Sequence, residues 1–343
     1  MKKLIAISLL LTLVLSLAGC NAHIPQGDPG TKLASFPTGS NYPVKLVKTD
    51  SYWVSLVGRY GSSSSSISVS DTAQDLHTVY SAEDVTVWFM DADDEYVIWS
   101  ELSEEFYTYK VHSIAAGTTE TIFQTTANDV MQLRNVSLHN GFAYYAYMDY
   151  SAQKAHVFRY DLQKKSAEPI FSPKWEGDKS VMSFAVQDGL LSIAVPEGIT
   201  VLDLNSGETV YKNLLPTDIH YVFSVSYDAV NKTCALYYAD SDSEDIGIMK
   251  QGDATIRSIY TFGSNQYAYQ DQIQCLNGRI YWISQFNASG NVTEHYSLVE
   301  YDYLSDLPNE TQRTLNFYVD EHGEYLLRFD RSGEFHNIDL YQR

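Results

Sequence analysis

The acidic run Asp240-Ser241-Asp242-Ser243-Glu244-Asp245 has the residue types and spacing that could hold a metal ion. Carboxylate oxygens at alternate positions suit Ca²⁺, which prefers oxygen ligands. Asp240, Asp242 and Glu244 are therefore a candidate calcium site, and no other cofactor is predicted. The run lacks the glycine and the distal bidentate glutamate of a calcium loop. A solvated acidic loop is the alternative interpretation.

Aromatic side chains beside carboxylates and amides form a second candidate site. Such combinations suit sugars, peptides or a protein partner, because the rings offer apolar contact area next to polar groups. The alternative is that most of these rings pack inside the fold. The candidate binding face comprises Met148, Asp149, Tyr150, Trp175, His220, Tyr221, Tyr267, Tyr269 and Phe286.

No familiar catalytic motif occurs in the sequence. It contains no GxSxG, HExxH, P-loop or GxGxxG pattern, so no catalytic residue is predicted. Cys234 and Cys275 lie 41 residues apart and are compatible either with a disulfide or with two buried thiols. No Cys/His spacing typical of a zinc site is present.

The elements that must position these residues follow a repeat. Turn pairs recur at steps of 43–48 residues, and Asn140-Gly141 and Asn277-Gly278 are the clearest hairpin signals among them. A strand rich in aromatic and branched residues follows each turn. The full set of turns is Asp50-Ser51, Asp94-Glu95, Asn140-Gly141, Asp188-Gly189, Asn231-Lys232, Asn277-Gly278 and His322-Gly323.

A second mark later in each repeat is a strand that ends in Asp, as at Asp161, Asp203 and Asp302. An Asp there can bond forward to the backbone and hold a turn before a fourth strand. Four antiparallel strands in about 45 residues, repeated seven times, predict an all-β, seven-bladed β-propeller over 42–343. Six blades is the alternative if the serine-rich first unit is not a blade.

The last repeat has no sequence left for a fourth strand after 335–343. We expect Thr31 to Phe36, within the 20–41 tether, to fill that place and close the ring. The remainder of the tether is rich in Pro and Gly and reads as a flexible spacer.

The first nineteen residues have the features of a secretory signal. A short basic start precedes an apolar stretch from Leu4 to Ala18, which is too short for a comfortable membrane span. The ending Leu17-Ala18-Gly19-Cys20 resembles the lipobox of bacterial lipoproteins. That resemblance implies removal of residues 1–19 and lipidation of Cys20, which would anchor the chain on the extracytoplasmic face of the cell membrane.

Together, the lipobox and the repeats resemble the bacterial extracellular propeller lipoproteins, in the style of TolB, DUF5050-like and PQQ-like repeats. The tryptophan signature of PQQ repeats is absent, so no cofactor or catalytic residue is carried over. The formal net charge of −20 argues against a nucleic-acid partner. We expect a non-enzymatic binding or scaffold module for a protein or envelope polymer. The alternative is a lyase or hydrolase acting on extracellular polysaccharide.

Overall fold

A computed structural model describes residues 30–37, 42–58, 65–73, 75–126, 135–149, 154–172, 183–195, 197–263, 266–286, 295–313, 316–320, 323–329 and 337–343. All regular secondary structure in these ranges is β. None of the described residues belongs to a helix long and apolar enough to cross a membrane. The expected signal segment and Cys20 lie outside the described ranges.

The described strands form seven antiparallel sheets of four, which confirms the seven-bladed β-propeller. The first strand of the chain, β1 (Thr31–Pro37), belongs to the seventh blade. Blade one contains β2 (Tyr42–Lys48), β3 (Trp53–Gly58), β4 (Ser65–Ser70) and β5 (His77–Ala82), so the serine-rich unit is a true blade. Blade two contains β6 (Thr86–Ala92), β7 (Tyr96–Leu102), β8 (Phe106–Ser113) and β9 (Thr118–Thr126).

The next four blades repeat the same order from inner to outer strand. Blade three contains β10 (Val136–His139), β11 (Phe142–Asp149), β12 (Lys154–Asp161) and β13 (Ser166–Phe171). Blade four contains β14 (Ser183–Gln187), β15 (Leu190–Val195), β16 (Gly198–Asp203) and β17 (Thr209–Leu214). Blade five contains β18 (Tyr221–Asp228), β19 (Thr233–Ala239), β20 (Glu244–Lys250) and β21 (Arg257–Thr261). Blade six contains β22 (Gln266–Leu276), β23 (Arg279–Phe286), β24 (His295–Asp302) and β25 (Leu307–Arg313).

Blade seven is built from both ends of the described chain. It contains β26 (Asn316–Asp320), β27 (Gly323–Phe329) and β28 (Asn337–Gln342), with β1 as the outermost strand. Strand β1 runs antiparallel to β28, with Thr31 opposite Gln342 and Phe36 opposite Ile338. Thus β1 occupies the fourth-strand position that the repeat leaves open.

The blades are held together by one hydrophobic cluster at each of the seven interfaces between neighbours. Blades three and four share a cluster that contains Tyr144 and Phe184, whereas Tyr145 points the other way, into the cluster shared with blade two. Successive strand residues face opposite sides, so each blade's middle strands supply both interfaces. The ring is closed by the cluster of blades seven and one, where Phe36 of β1 packs with Trp53 and Tyr325.

Asn-Gly and Asp-Gly pairs make the tight turns that the repeat predicts. Asn140 and Gly141 both have positive φ, 49° and 76°, as do Asn277 and Gly278 at 51° and 87°. A two-residue turn with positive φ at both positions matches the twist of the flanking strands. The predicted turn at His322 lies outside the described residues.

The two cysteines are present as free, buried thiols. Cys234 belongs to the cluster between blades four and five, and Cys275 to the cluster between blades five and six. Because they occupy separate clusters, the structure shows two buried thiols and no disulfide.

Candidate functional site

The propeller has two faces with different loops. The face that we call the turn face carries the loops from first to second and from third to fourth strands, such as 140–141, 229–232, 277–278 and 303–306. The opposite face, called the mouth face, carries the loops from second to third strand and from blade to blade. Its described loops include 83–85, 103–105, 215–220 and 240–243.

A central channel of about 320 Å³ is lined by the first strand of every blade. These innermost strands have one edge without a neighbouring strand, so their backbone groups need other partners. The first residues of each of these strands lie at the mouth face, and their last residues lie at the turn face. Any ligand that enters from the mouth therefore meets the beginnings of these strands.

Polar side chains of one blade bond the free backbone edge of the next. Asp91 Oδ2 in blade two accepts a hydrogen bond from the backbone N–H of Leu138 in blade three, at 2.8 Å. Ser226 Oγ in blade five accepts one from the N–H of Cys275 in blade six, at 2.9 Å. These bonds satisfy buried backbone groups that a lone inner strand would leave unpaired.

Gln187 extends this arrangement across three blades. Its Oε1 accepts a hydrogen bond from Ser226 Oγ at 3.1 Å, and its Nε2 donates one to the carbonyl oxygen of Cys275 at 3.2 Å. Blades four, five and six are thus joined around one amide at the channel wall. Such a connected network favours a single rigid arrangement of the wall.

Lys45 and Asp91 are the oppositely charged pair on the channel wall. Burial lowers the pKa of Lys45, and the charge of Asp91 opposes that shift. Burial also raises the pKa of Asp91, while hydrogen bonds from the N–H groups of Leu138 and Ala92 and the charge of Lys45 act in the opposite direction. The pair thus reduces the cost of placing two ionisable groups beside the channel.

The channel wall offers few groups for proton transfer. The described residues that line it include no His, Cys, Glu or Arg. The wall does carry two carboxylic groups, Asp91 and Asp188. A glycoside hydrolase usually needs two that flank the bond that breaks, whereas Asp91 interacts with Lys45 and accepts hydrogen bonds from the backbone of the wall. Gln274 Oε1 is a buried acceptor without a partner among the described residues. The wall therefore provides hydrogen-bonding groups more readily than a catalytic set.

Bulges in the inner strands change the direction of side chains close to the mouth. The pairing of β6 with β7 shifts between Val87 and Phe89, which leaves Trp88 as the extra residue. Trp88 is 55% exposed, an unusual state for so large a ring in a strand. Bulges are frequent next to binding and active sites because they redirect a side chain.

A second exposed ring lies at the start of β18. Tyr221 is 42% exposed and stacks on Phe223, with ring centroids 6.2 Å apart. Phe223 is itself the bulge residue of β18 and contacts Tyr237 at a centroid distance of 4.6 Å. We call Trp88, Tyr221 and Phe223 the aromatic rim.

Carboxylates flank both exposed rings on the mouth face. The loops on either side of Trp88 carry exposed acidic residues, and the loops beside Tyr221 do the same. The exposed residues are Glu83, Asp84, Glu104 and Glu105 in the loops beside Trp88, and Asp218 and Asp242 in the loops beside Tyr221, where Asp240 is half-buried. Apolar rings surrounded by acceptors suit hydroxyl, amide or ammonium groups on a partner.

The structure places the predicted binding-face residues in different environments. His220 and Tyr221 lie at the mouth face. Met148, in contrast, is fully buried between blades three and four, because it is an interface-facing residue of β11. Asp149 ends β11. Tyr267 and Tyr269 lie in β22, and Phe286 ends β23. Tyr150 and Trp175 lie outside the described residues.

The predicted metal residues are held in a turn of blade five. Asp240 Oδ1 accepts hydrogen bonds from the backbone N–H groups of Asp242 and Ser243, both at 2.8 Å. Glu244 Oε2 accepts one from the hydroxyl of Tyr237 at 2.5 Å. Across the described ranges, no three His, Cys, Asp or Glu side chains are grouped to share a metal ion. Calcium binding at this loop stays a prediction.

Trp88 was not among the predicted site residues. Val87-Trp88-Phe89-Met90 places four large apolar residues in succession. Such a run is also compatible with a regular strand, because both sides of a blade strand pack against neighbouring blades. Neither the bulge at Trp88 nor the cross-blade bonds of Gln187 and Asp91 have a local signal in the sequence.

Comparison with known proteins shows the fold alone. No protein-family model and no curated protein matches the chain. The β-propeller domain of the Trilobed protease from Pyrococcus furiosus, which has an open velcro topology, is similar with a TM-score of 0.56 and 10% identity, over 88% of this chain and 94% of that one.

The acylaminoacyl peptidase of Pyrococcus horikoshii has a TM-score of 0.53 and 10% identity over 90% of this chain. This chain spans about half of that peptidase, 52% of its length. TolB from Acinetobacter baumannii has a TM-score of 0.47 and 12% identity, over 76% of this chain and 65% of that one. The first two likenesses establish the β-propeller architecture.

Proposed function

We propose that this protein is a lipid-anchored, extracytoplasmic binding module that holds a protein or envelope polymer at the mouth of its channel. The aromatic rim carries this proposal: Trp88 and Tyr221 are large exposed rings at the mouth-face ends of inner strands. Rigid strands that present exposed rings beside carboxylates have the features of a recognition surface.

The rim is tested by capturing partners from solubilised native membranes with the purified protein. Trp88→Ala and Tyr221→Ala should each weaken capture of the same partner several-fold, since exposed rings contribute contact area rather than core packing. Val230→Ala and Leu304→Ala are matched controls, because both side chains are exposed apolar residues on the turn face. Equal capture by all four variants would contradict the proposed rim.

The anchor is tested separately by cell fractionation. Cys20→Ala should move the protein from the membrane to the soluble fraction, because acyl chains on the thiol would provide the attachment. Cys234→Ala is the matched control, since this thiol is buried in the propeller. Membrane retention of the Cys20→Ala protein would refute lipidation at this position.

A further inference from the structure

The direction of β1 determines on which face the tether leaves the propeller. Thr31, the first residue of β1, is paired with Gln342 at the end of β28. Third strands end on the turn face, so the chain enters β1 from the turn face and leaves it, at Pro37, toward the mouth face. The tether from Cys20 therefore joins the body of the protein at the turn face.

Gly30 fixes this point of attachment. Its φ is +86°, a region that favours glycine. A Cβ on this residue would lie 2.2 Å from the carbonyl oxygen of Gln342, so the backbone passes directly against the end of β28. Gly30 thus lies on the turn-face side of β1.

The length of the tether is short relative to the thickness of the disc. Nine residues, and so ten steps between successive Cα atoms, lie between Cys20 and Gly30. A flexible chain of ten steps has a mean span of about 17 Å and a maximum of about 35 Å. The eight residues of β8 cross the disc from mouth to turn face, a distance of about 27 Å for an extended strand. An average tether is therefore too short to pass around a blade to the mouth face.

The turn face also presents exposed apolar side chains. Val230 is 75% exposed and Leu304 is 61% exposed, at turns of blades five and six. These turns lie side by side, since a Cβ on Gly278 would be 2.5 Å from Leu304 Cδ1 and 3.7 Å from Asn231 Nδ2. Exposed aliphatic residues suit the boundary of a bilayer. The turn face carries the cation Lys232 beside them, together with exposed carboxylates such as Asp94 and Asp306, so the apolar side chains rather than the charge favour the lipid surface.

We propose that the propeller lies with its turn face against the membrane, so that the aromatic rim points away from it. This orientation rests on the proposed anchor at Cys20. The occupant of the turn face is the lipid surface, and the mouth face remains accessible to partners from outside the cell. The protein would thus be attached to the membrane at its turn face and bind its partner at its mouth face.

Energy transfer to a labelled membrane tests the orientation in the full, lipidated chain. The protein is reconstituted into vesicles of phosphatidylglycerol and phosphatidylethanolamine that carry a headgroup acceptor dye. Single donor dyes are placed on Ala115→Cys or Glu105→Cys, at the turn-face and mouth-face ends of β8. The second matched pair is Ala254→Cys and Asp242→Cys, at the two ends of β20. All four positions are exposed, whereas the native Cys234 and Cys275 are buried.

Transfer should be several-fold higher from positions 115 and 254 than from 105 and 242, because transfer falls steeply with distance. Equal transfer within each pair, as for a disc standing on its edge or tumbling freely, would overturn the proposal. Higher transfer from the mouth face would overturn it as well. Failure of the anchor is distinguishable, since the protein would then not float with the vesicles and no position would show transfer.

Discussion

Replacing Asp228 with Ala should destabilise the joint between blades five and six. The buried carboxylate accepts hydrogen bonds from the N–H of Gly278 at 2.6 Å and from the hydroxyl of Tyr303 at 2.9 Å, both in blade six. It also accepts two from Asn231 in its own turn, each at 3.0 Å. The alanine variant leaves the blade-six donors without this acceptor.

The loss in the free energy of unfolding follows from the number of hydrogen-bond donors that lose their acceptor. A buried donor without a partner costs about 1–3 kcal/mol, and bonds to a charged acceptor are at the upper end. Two such donors, together with the lost turn bonds, predict a loss of about 3–5 kcal/mol in the free energy of unfolding. Total stabilities of about 5–15 kcal/mol are usual, so this is a large fraction.

Urea denaturation followed by tryptophan fluorescence measures this loss. Asp302→Ala is the matched control, because its carboxylate accepts hydrogen bonds from Leu304 and Ser305 within its own exposed turn and, among the described residues, none from another blade. That variant should lose much less. Tyr303→Phe should lose an intermediate amount and should be non-additive with Asp228→Ala, since both remove the same bond. An Asp228→Ala protein within 1 kcal/mol of the unsubstituted protein, a threshold of about one ordinary hydrogen bond, would refute the reasoning.

Three further outcomes are expected. Burial raises the pKa of Asp228, but its hydrogen bonds outweigh burial and bring that pKa below the usual value. Its contribution to stability is therefore complete above the unfolded value of about 4 and is lost as the pH falls below that value, through the lowered folded pKa. The difference in urea midpoint from Asp228→Asn should be constant above about pH 5 and should shrink as the pH is lowered below about 4. A difference that is constant with pH would contradict this. Gly30→Ala should lower the free energy of unfolding by about 1–2 kcal/mol because of the positive φ alone, and the close contact with Gln342 should increase this loss. Gly207→Ala, also at positive φ but with open space around the new Cβ, should lose less stability in the same denaturation assay. Burial raises the pKa of the Cys234 and Cys275 thiols. Maleimide should therefore label neither thiol in the native protein at pH 7 and should label both in urea. Rapid labelling of the native protein would contradict this and show that the blade interfaces open.

Periodic features of this fold could be predicted from the sequence, because they depend on neighbouring residues. Asn140-Gly141 and Asn277-Gly278 require positive φ and therefore mark hairpins by residue type alone. The spacing of such turns gives seven blades, and the number of strands leaves one position for Thr31–Pro37. Local chemistry was sufficient for these conclusions.

The site depends on contacts that no local pattern records. Gln187 bonds Ser226 and Cys275, which are 39 and 88 residues away, and only the closed ring brings them together. Met148 was expected at the binding face because it lies at the end of an aromatic strand. The alternation of side chains along β11 instead points Met148 into the interface between blades three and four. Trp88 was missed because a bulge, rather than its position in the loop pattern, exposes it.

The pairing of β1 with β28 also imposes an order on folding. Ser35 Oγ in β1 donates a hydrogen bond to Asp339 Oδ1 in β28, 304 residues later. Strand β1 is therefore synthesised early but cannot pair until β28 has been synthesised. Bringing segments so far apart together costs about 5 kcal/mol of chain entropy, which the completed blades must offset. Six blades can assemble as the chain emerges, while β1 keeps an unpaired edge throughout. We expect β1, before it pairs with β28, to be the part of the newly synthesised protein most exposed to proteases and to pairing with a wrong strand.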